Sequence, residues 1–148
     1  MATLFAFLHH LAAFTVVSAI AIEFVTIRQS ITRDNAIRLL VTDAVLGVSA
    51  TALLIVGLIR VFYFEKGSAY YFSNHAFLTK FSVFILIAIL SAVPTIEFLS
   101  WRKAVRAGQA PAVDARKIRT IRTVLHVELV GIVIILACAA LMAKGGWV

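Results

Sequence analysis

Four runs of apolar residues, 3–27, 36–64, 76–101 and 118–142, constrain this chain more than any other feature. Each exceeds the roughly 20 residues that cross a bilayer as a helix. Lipid offers no hydrogen-bond partner to a backbone, so a spanning segment must satisfy its own N–H and C=O groups. Continuous apolar runs of this length do so as α-helices. Composition agrees. Hydrophobic residues make up 62% of the chain, and the mean hydropathy is +1.01; soluble domains hold roughly 45–50% apolar residues. The connections are too short for a soluble domain. The expected fold is all-α, a single integral-membrane four-helix bundle over residues 1–148. A cleaved leader ending at Ala19-Ile20-Ala21 is not expected, because no basic residue precedes the first run and the run continues past that site.

The net charge of +7 is distributed unevenly. Arg28, Arg33 and Arg38 flank the first connection, and Arg102, Lys103, Arg106, Arg116, Lys117, Arg119 and Arg122 flank the third. The opposite side has only Arg60, Lys66, Lys80 and Lys144. Lys/Arg excess marks cytoplasmic loops, so both termini are expected outside. The basic balance reads as topology and contact with anionic lipid, not as nucleic-acid binding. The expected location is a bacterial inner membrane, crossed several times. Cys138 is the only cysteine, which excludes a disulfide and a thiolate metal site. No zinc-ligand spacing, Ser/His/Asp set or phosphate-binding glycine loop is present.

Depth along the spans sorts the intramembrane polar groups into two layers, roughly 15 Å apart at 1.5 Å per residue. The outer layer has His9, His10, Arg60, His75 and Lys80; the inner layer has Glu23, Asp43, Glu97, His126 and Glu128. A lysine at the bilayer centre costs about 2.5–3.5 kcal/mol, so Lys80 is expected to have a partner or a job. Two axial ligands of a haem iron must lie at one depth. His10 with His75, or His10 with Lys80, meets that condition; His10 with His126 does not. Arg60 lies at the level of a propionate. His9 and His10 point about 100° apart, so one of them at most aims at a given partner. The ordinary alternative is that each membrane histidine closes an interhelical hydrogen bond. Asp43, Gly47, Ala50 and Gly57 form a small-residue stripe, read as a close helix contact in preference to room for a cofactor at Gly47. The aromatic connection 63–72 reads as an interfacial belt.

Two segments resemble each other. Ser18-Ala19 is followed by Ile22-Glu23-Phe24 and Arg28, and Ser91-Ala92 by Ile96-Glu97-Phe98 and Arg102. The gap differs by one residue, and the longer copy holds Pro94. Both copies run outside to inside, so spans one–two and three–four would be parallel repeats.

Leu8-His9-His10-Leu11-Ala12, Gly57-Leu58-Ile59-Arg60-Val61-Phe62-Tyr63, Gly67-Ser68-Ala69-Tyr70-Tyr71, Phe77-Leu78-Thr79-Lys80 and Leu90-Ser91-Ala92-Val93-Pro94-Thr95 together resemble a family of uncharacterised bacterial membrane proteins, over nearly the whole chain. More distantly the pattern is similar to the CopD/HemJ-like superfamily. His10-Leu11-Ala12-Ala13 matches its first-helix histidine, and Phe77-Leu78-Thr79-Lys80-Phe81 matches its helix-start lysine. The Asn-Glu-x-Pro of HemJ-type proteins is only partly echoed by His126-Val127-Glu128-Leu129. The resemblance implies a b-type haem; together with the depth match it makes His10 with His75, or His10 with Lys80, the expected ligands, with His9 and Arg60 around them. The function it implies is electron transfer, or oxidation of a lipophilic donor such as a quinol or porphyrinogen, with a quinone or porphyrin as partner. Two other readings stand beside it. One is an accessory subunit, assembled as a homo-oligomer or in a larger membrane complex. The other is a proton-coupled metal or small-solute carrier that uses the inner layer.

Overall fold

The protein is described by a computed structural model covering residues 1–64 and 68–144; Glu65, Lys66 and Gly67 lie outside the described residues. All regular elements in the described residues are helices. They are α1 (Ala2–Thr26), α2 (Arg33–Ile59), α3 (Ser68–Ser73), α4 (His75–Leu90), α5 (Ala92–Ser100), α6 (Arg102–Arg106) and α7 (Ala115–Ala143). A π-helical turn over Arg60–Phe64 extends α2. Four stretches are long and apolar enough to span a bilayer: Ala2–Thr26, Arg33–Phe64, His75–Arg106 and Ala115–Ala143. They are the four expected spans, with ends displaced by a few residues.

The helix ends follow local chemistry. The first N–H groups of a helix lack intrahelical partners, and Ser, Thr, Asp or Asn at the N-cap supplies one. The Thr32 hydroxyl accepts from the Asn35 N–H at 3.2 Å, Asn74 Oδ1 from Phe77 at 3.1 Å, and Asp114 Oδ1 from Arg116 at 2.8 Å. At the other end of α1 the Arg122 guanidinium donates to the Ile27 carbonyl at 3.3–3.4 Å. Arg33 donates in the same way to Val105 at 3.3 Å. Part of the arginine cluster therefore caps helix C-termini across the bundle. Gly108, at φ +77°, takes the left-handed conformation that turns the chain after α6.

Neighbouring spans run antiparallel. Phe5 near the start of α1 stacks on Phe64 beyond the end of α2, with centroids 5.0 Å apart. Glu97 in α5 meets Lys117 at the start of α7. The closest packing joins α1 to α2 and α4 to α7, the two pairs that the repeat would unite. In addition α1 packs on α7, and α5 on both α2 and α7. Span two thus rests on the second half of span three, α5, more than on the first half, α4.

Phe98, Ile27, Leu39, Ile121 and Leu125 are fully buried, and all lie toward the arginine-rich end. Phe7, Phe14, Val48, Ile89 and Val133 face outward, as lipid-contacting side chains do. Span three is interrupted at Ser91, between α4 and α5. Pro94 has no N–H for the Leu90 carbonyl, the ordinary cause of a helix break.

Gly131 marks the tightest helix contact. A Cβ placed there would lie 2.7 Å from Ile87 Cγ2 and 3.4 Å from Val83 Cγ1. Gly131→Ala is expected to cost about 1–3 kcal/mol by overpacking the α4–α7 contact. Thermal melting in detergent checks this, and an unchanged midpoint would mean that the helices are not held at that spacing.

Candidate functional site

The inner layer separates into a cluster, a structural pair and an outlying ring. Glu23 on α1, Asp43 on α2 and Glu128 on α7 are all buried; Glu23 and Glu128 are 0% exposed and Asp43 is 7%. They act on one another electrostatically. Asp43 has one polar partner of good geometry: the Thr95 hydroxyl donates to its Oδ1 at 2.7 Å. Neither oxygen of Glu23 or Glu128 has a hydrogen-bond partner among the described residues. The Ser91 hydroxyl interacts with the Glu128 carboxyl but does not close a bond of ordinary geometry. At 1.5 Å per residue, Asp43 lies roughly 15 Å and Glu128 roughly 20 Å from the starts of their helices. That is near the middle of a membrane whose apolar core is about 30 Å thick.

A cavity of about 250 Å³ adjoins the cluster. Asp43, Glu128, Ser91 and Thr95 supply its polar lining, and Val16, Ile20, Leu46, Phe84 and Ile87 much of the rest. The break in span three forms part of its wall, through Ser91, Ala92 and Thr95.

Glu97 does not join this cluster. Its Oε2 lies 2.8 Å from Lys117 Nζ, and its Oε1 accepts from Trp101 Nε1 at 3.1 Å. His126 is exposed and packs against Phe24, with centroids 6.2 Å apart. The expected five-residue layer is therefore three acids plus two residues with other partners. Arg28 stacks over Phe24 at 4.0 Å, so it too is engaged away from the acids.

The outer layer is likewise divided. His9 faces α2: a Cβ on Gly57 would lie 3.3 Å from its Cε1. His10 is exposed, and its Nδ1 lies 2.6 Å from the Ala6 carbonyl of its own helix. His75 is exposed as well. Neither His10 nor His75 turns its ring into the bundle, so the structure does not bring the two together as an axial pair. His9 is the imidazole of this pair that faces inward. Lys80 and Arg60 are both partly buried and act on one another electrostatically, and Lys80 Nζ sits 5.8 Å from the Phe77 ring centroid.

The small-residue stripe on α2 needs a correction. Gly57 does allow a close approach, that of His9, but Gly47 has nothing within 4 Å of a built Cβ and lines the cavity. One half of the stripe packs; the other leaves space. A glycine signals either outcome equally well, and spacing alone gave no means to choose. The sequence reading also missed Ser91 and Thr95 as site residues. The signal available for them was Pro94 beside two hydroxyls in an otherwise apolar span.

Glu97→Gln is expected to change stability by less than about 1 kcal/mol, because its partner Lys117 is 57% exposed and such pairs are weak. Denaturation of the purified variant measures this. A loss of several kcal/mol would place Glu97 in the buried cluster after all.

No curated protein and no solved structure matches the chain. One family model does, over residues 1–146, under the description Predicted membrane protein (DUF2214). With four spanning helices and this match over nearly its whole length, the chain belongs to that family of multi-pass membrane proteins.

Proposed function

We propose that this protein is a proton-coupled carrier of a small solute, working through Glu23, Asp43 and Glu128 in a bacterial inner membrane. The arginine-rich connections would face the cytoplasm. The observation that carries this reading is the condition of two side chains: Glu23 and Glu128 are fully buried, and their carboxyl oxygens lack hydrogen-bond partners. An isolated carboxylate is too costly in a low-dielectric interior to remain uncompensated. Three interacting acids in one place therefore hold protons or a cation. Exchange between those two states is what coupling requires, and the cavity beside Asp43 and Glu128 gives the exchange a site. Glu97 supplies the contrast, since a glutamate in a structural role here has both oxygens engaged. A soft metal cargo is disfavoured, because the chain has one cysteine and two methionines.

Proton flux into proteoliposomes driven by an imposed gradient of candidate solutes (alkali cations and small ammonium ions in turn), followed with a trapped pH dye, tests the reading. Glu128→Gln is expected to lower the flux at least about tenfold, an effect of roughly 1.4 kcal/mol, while Glu97→Gln retains it. Equal flux in wild type, Glu128→Gln, Glu23→Gln and Asp43→Asn would sink the carrier.

A haem in the outer layer is a second proposal. It rests on the superfamily resemblance, supported by the nearness of Lys80 to Arg60 and by the inward-facing His9. His10 and His75, both exposed, give it no support, so no step is derived through an iron. A reduced-minus-oxidised visible spectrum of protein purified with ample haem supply decides the matter. Sharp α and β bands lost in a His9→Ala variant are the expected result, and a featureless spectrum removes the proposal.

A further inference from the structure

The carrier reading leaves its cargo unnamed, and the cavity narrows the choice. Its charge has one sign among the described residues: Asp43 and Glu128 line it, and no described lysine, arginine or histidine does. Its volume of about 250 Å³ falls below the roughly 300–1,000 Å³ of sites for drug-sized ligands. The occupant is therefore small. The wall away from the acids is hydrocarbon and aromatic, through Val16, Ile20, Leu46 and Phe84. A bare alkali or alkaline-earth ion needs a shell of oxygen ligands. Here most of the residues that line the cavity carry no oxygen on their side chains.

The approach to the cavity points the same way. Gly47, Thr51, Ala88 and Ala92 line it and are exposed. They belong to α2, α4 and α5, so the mouth lies between spans two and three, where α2 leans on α5 more than on α4. In a bilayer this mouth faces lipid. A cation with a hydrocarbon body collects at the membrane and can enter from that side; a hydrated metal ion does not.

We infer that this cavity binds a small organic ammonium ion, with Asp43 and Glu128 as its counter-charge and the apolar wall as the seat of its hydrocarbon body. The inference rests on the carrier reading and adds the class of cargo. The ammonium N–H groups donate to the Glu128 oxygens that otherwise lack partners, which are the strong charge-assisted bonds available to a buried carboxylate. Charge balance sets the coupling. A cation entering beside a protonated carboxyl leaves a neutral pair only if one proton departs, so each cation bound releases a proton, and reprotonation releases the cation.

The test titrates the detergent-purified full chain with benzylammonium chloride by calorimetry, in two buffers of different ionisation enthalpy so that released protons are counted. Saturable binding with proton release is expected, weakened at least about tenfold in Asp43→Asn. Gly47→Leu places a side chain into the cavity without touching a carboxyl, starting from a position with nothing within 4 Å of its Cβ. It is expected to abolish binding at an unchanged melting temperature, whereas Glu97→Gln binds as wild type does. Absence of binding overturns the inference, as does binding that persists in both Asp43→Asn and Gly47→Leu. Sodium ions that bind in place of benzylammonium and more tightly also overturn it, in favour of an alkali-cation site. If benzylammonium fails to bind while wild-type proton flux remains sensitive to Glu128→Gln, the cargo is wrong and the carrier stands. Loss of both means that the carrier reading itself is wrong.

Discussion

A bilayer supplies no water to a buried carboxyl, and that constraint organises this small bundle. Most polar groups in the spans meet it with a partner. Backbone groups are satisfied within the helices. The Ile27 carbonyl that α1 leaves open is met by Arg122, and Arg33 adds a second donor to the Val105 carbonyl, which also accepts from the Gly108 N–H at 3.1 Å. Serine and threonine hydroxyls on α1, α2 and α7 bond back to carbonyls one turn earlier, as Thr15, Thr51 and Thr123 do. Glu97 has both Lys117 and Trp101. Against this background Glu23 and Glu128 stand apart, because they are as deeply buried as Phe98 or Leu125 and yet lack such partners. Among the described residues these are the buried carboxyl groups whose lack of partners calls for an explanation.

The break in span three is the second determinant. An uninterrupted helix would present one straight face to α2 and α7 along its whole length. Pro94 removes one hydrogen bond at this point; α5 packs on α2 and α7, while α4 packs chiefly on α7. The space between α2 and α4 is the cavity. Gly47 keeps it open on one wall, and Ser91 and Thr95 bring hydroxyls to the other. The tight contact at Gly131 fixes α4 to α7, so the room lies on the α2 side.

The fold was legible because length and apolarity leave a membrane chain few choices. The caps were legible too: Thr32, Asn74 and Asp114 each stand just before an apolar run, where a side-chain acceptor is needed. The site was legible only in depth. Counting residues along a span gives the level of a side chain, and it put Glu23, Asp43 and Glu128, which act on one another in the structure, in one layer. It cannot give direction around the helix when neighbouring helices are unknown. His126 precedes Glu128 by two residues, roughly 200° around the axis, and so lies outside the cluster at nearly the same depth. The same ambiguity favoured His10 where His9 is the inward residue. Spans this apolar on all sides have no polar face to orient them, so direction is decided by packing that only the folded structure contains.

The paired Ser-Ala…Ile-Glu-Phe segments show how a single residue redirects a charge. In the first span the glutamate follows the serine by five positions and is buried at Glu23. At the same spacing in the third span the position is Ile96, which is 69% exposed and would hold a carboxylate against lipid. The additional residue turns the glutamate about 100° further around the helix. There Glu97 reaches Lys117 and Trp101. The proline that accompanies the longer copy opens the helix beside the cavity. The longer segment thus has its glutamate in a structural pair and its proline beside Ser91, Ala92 and Thr95 of the cavity wall.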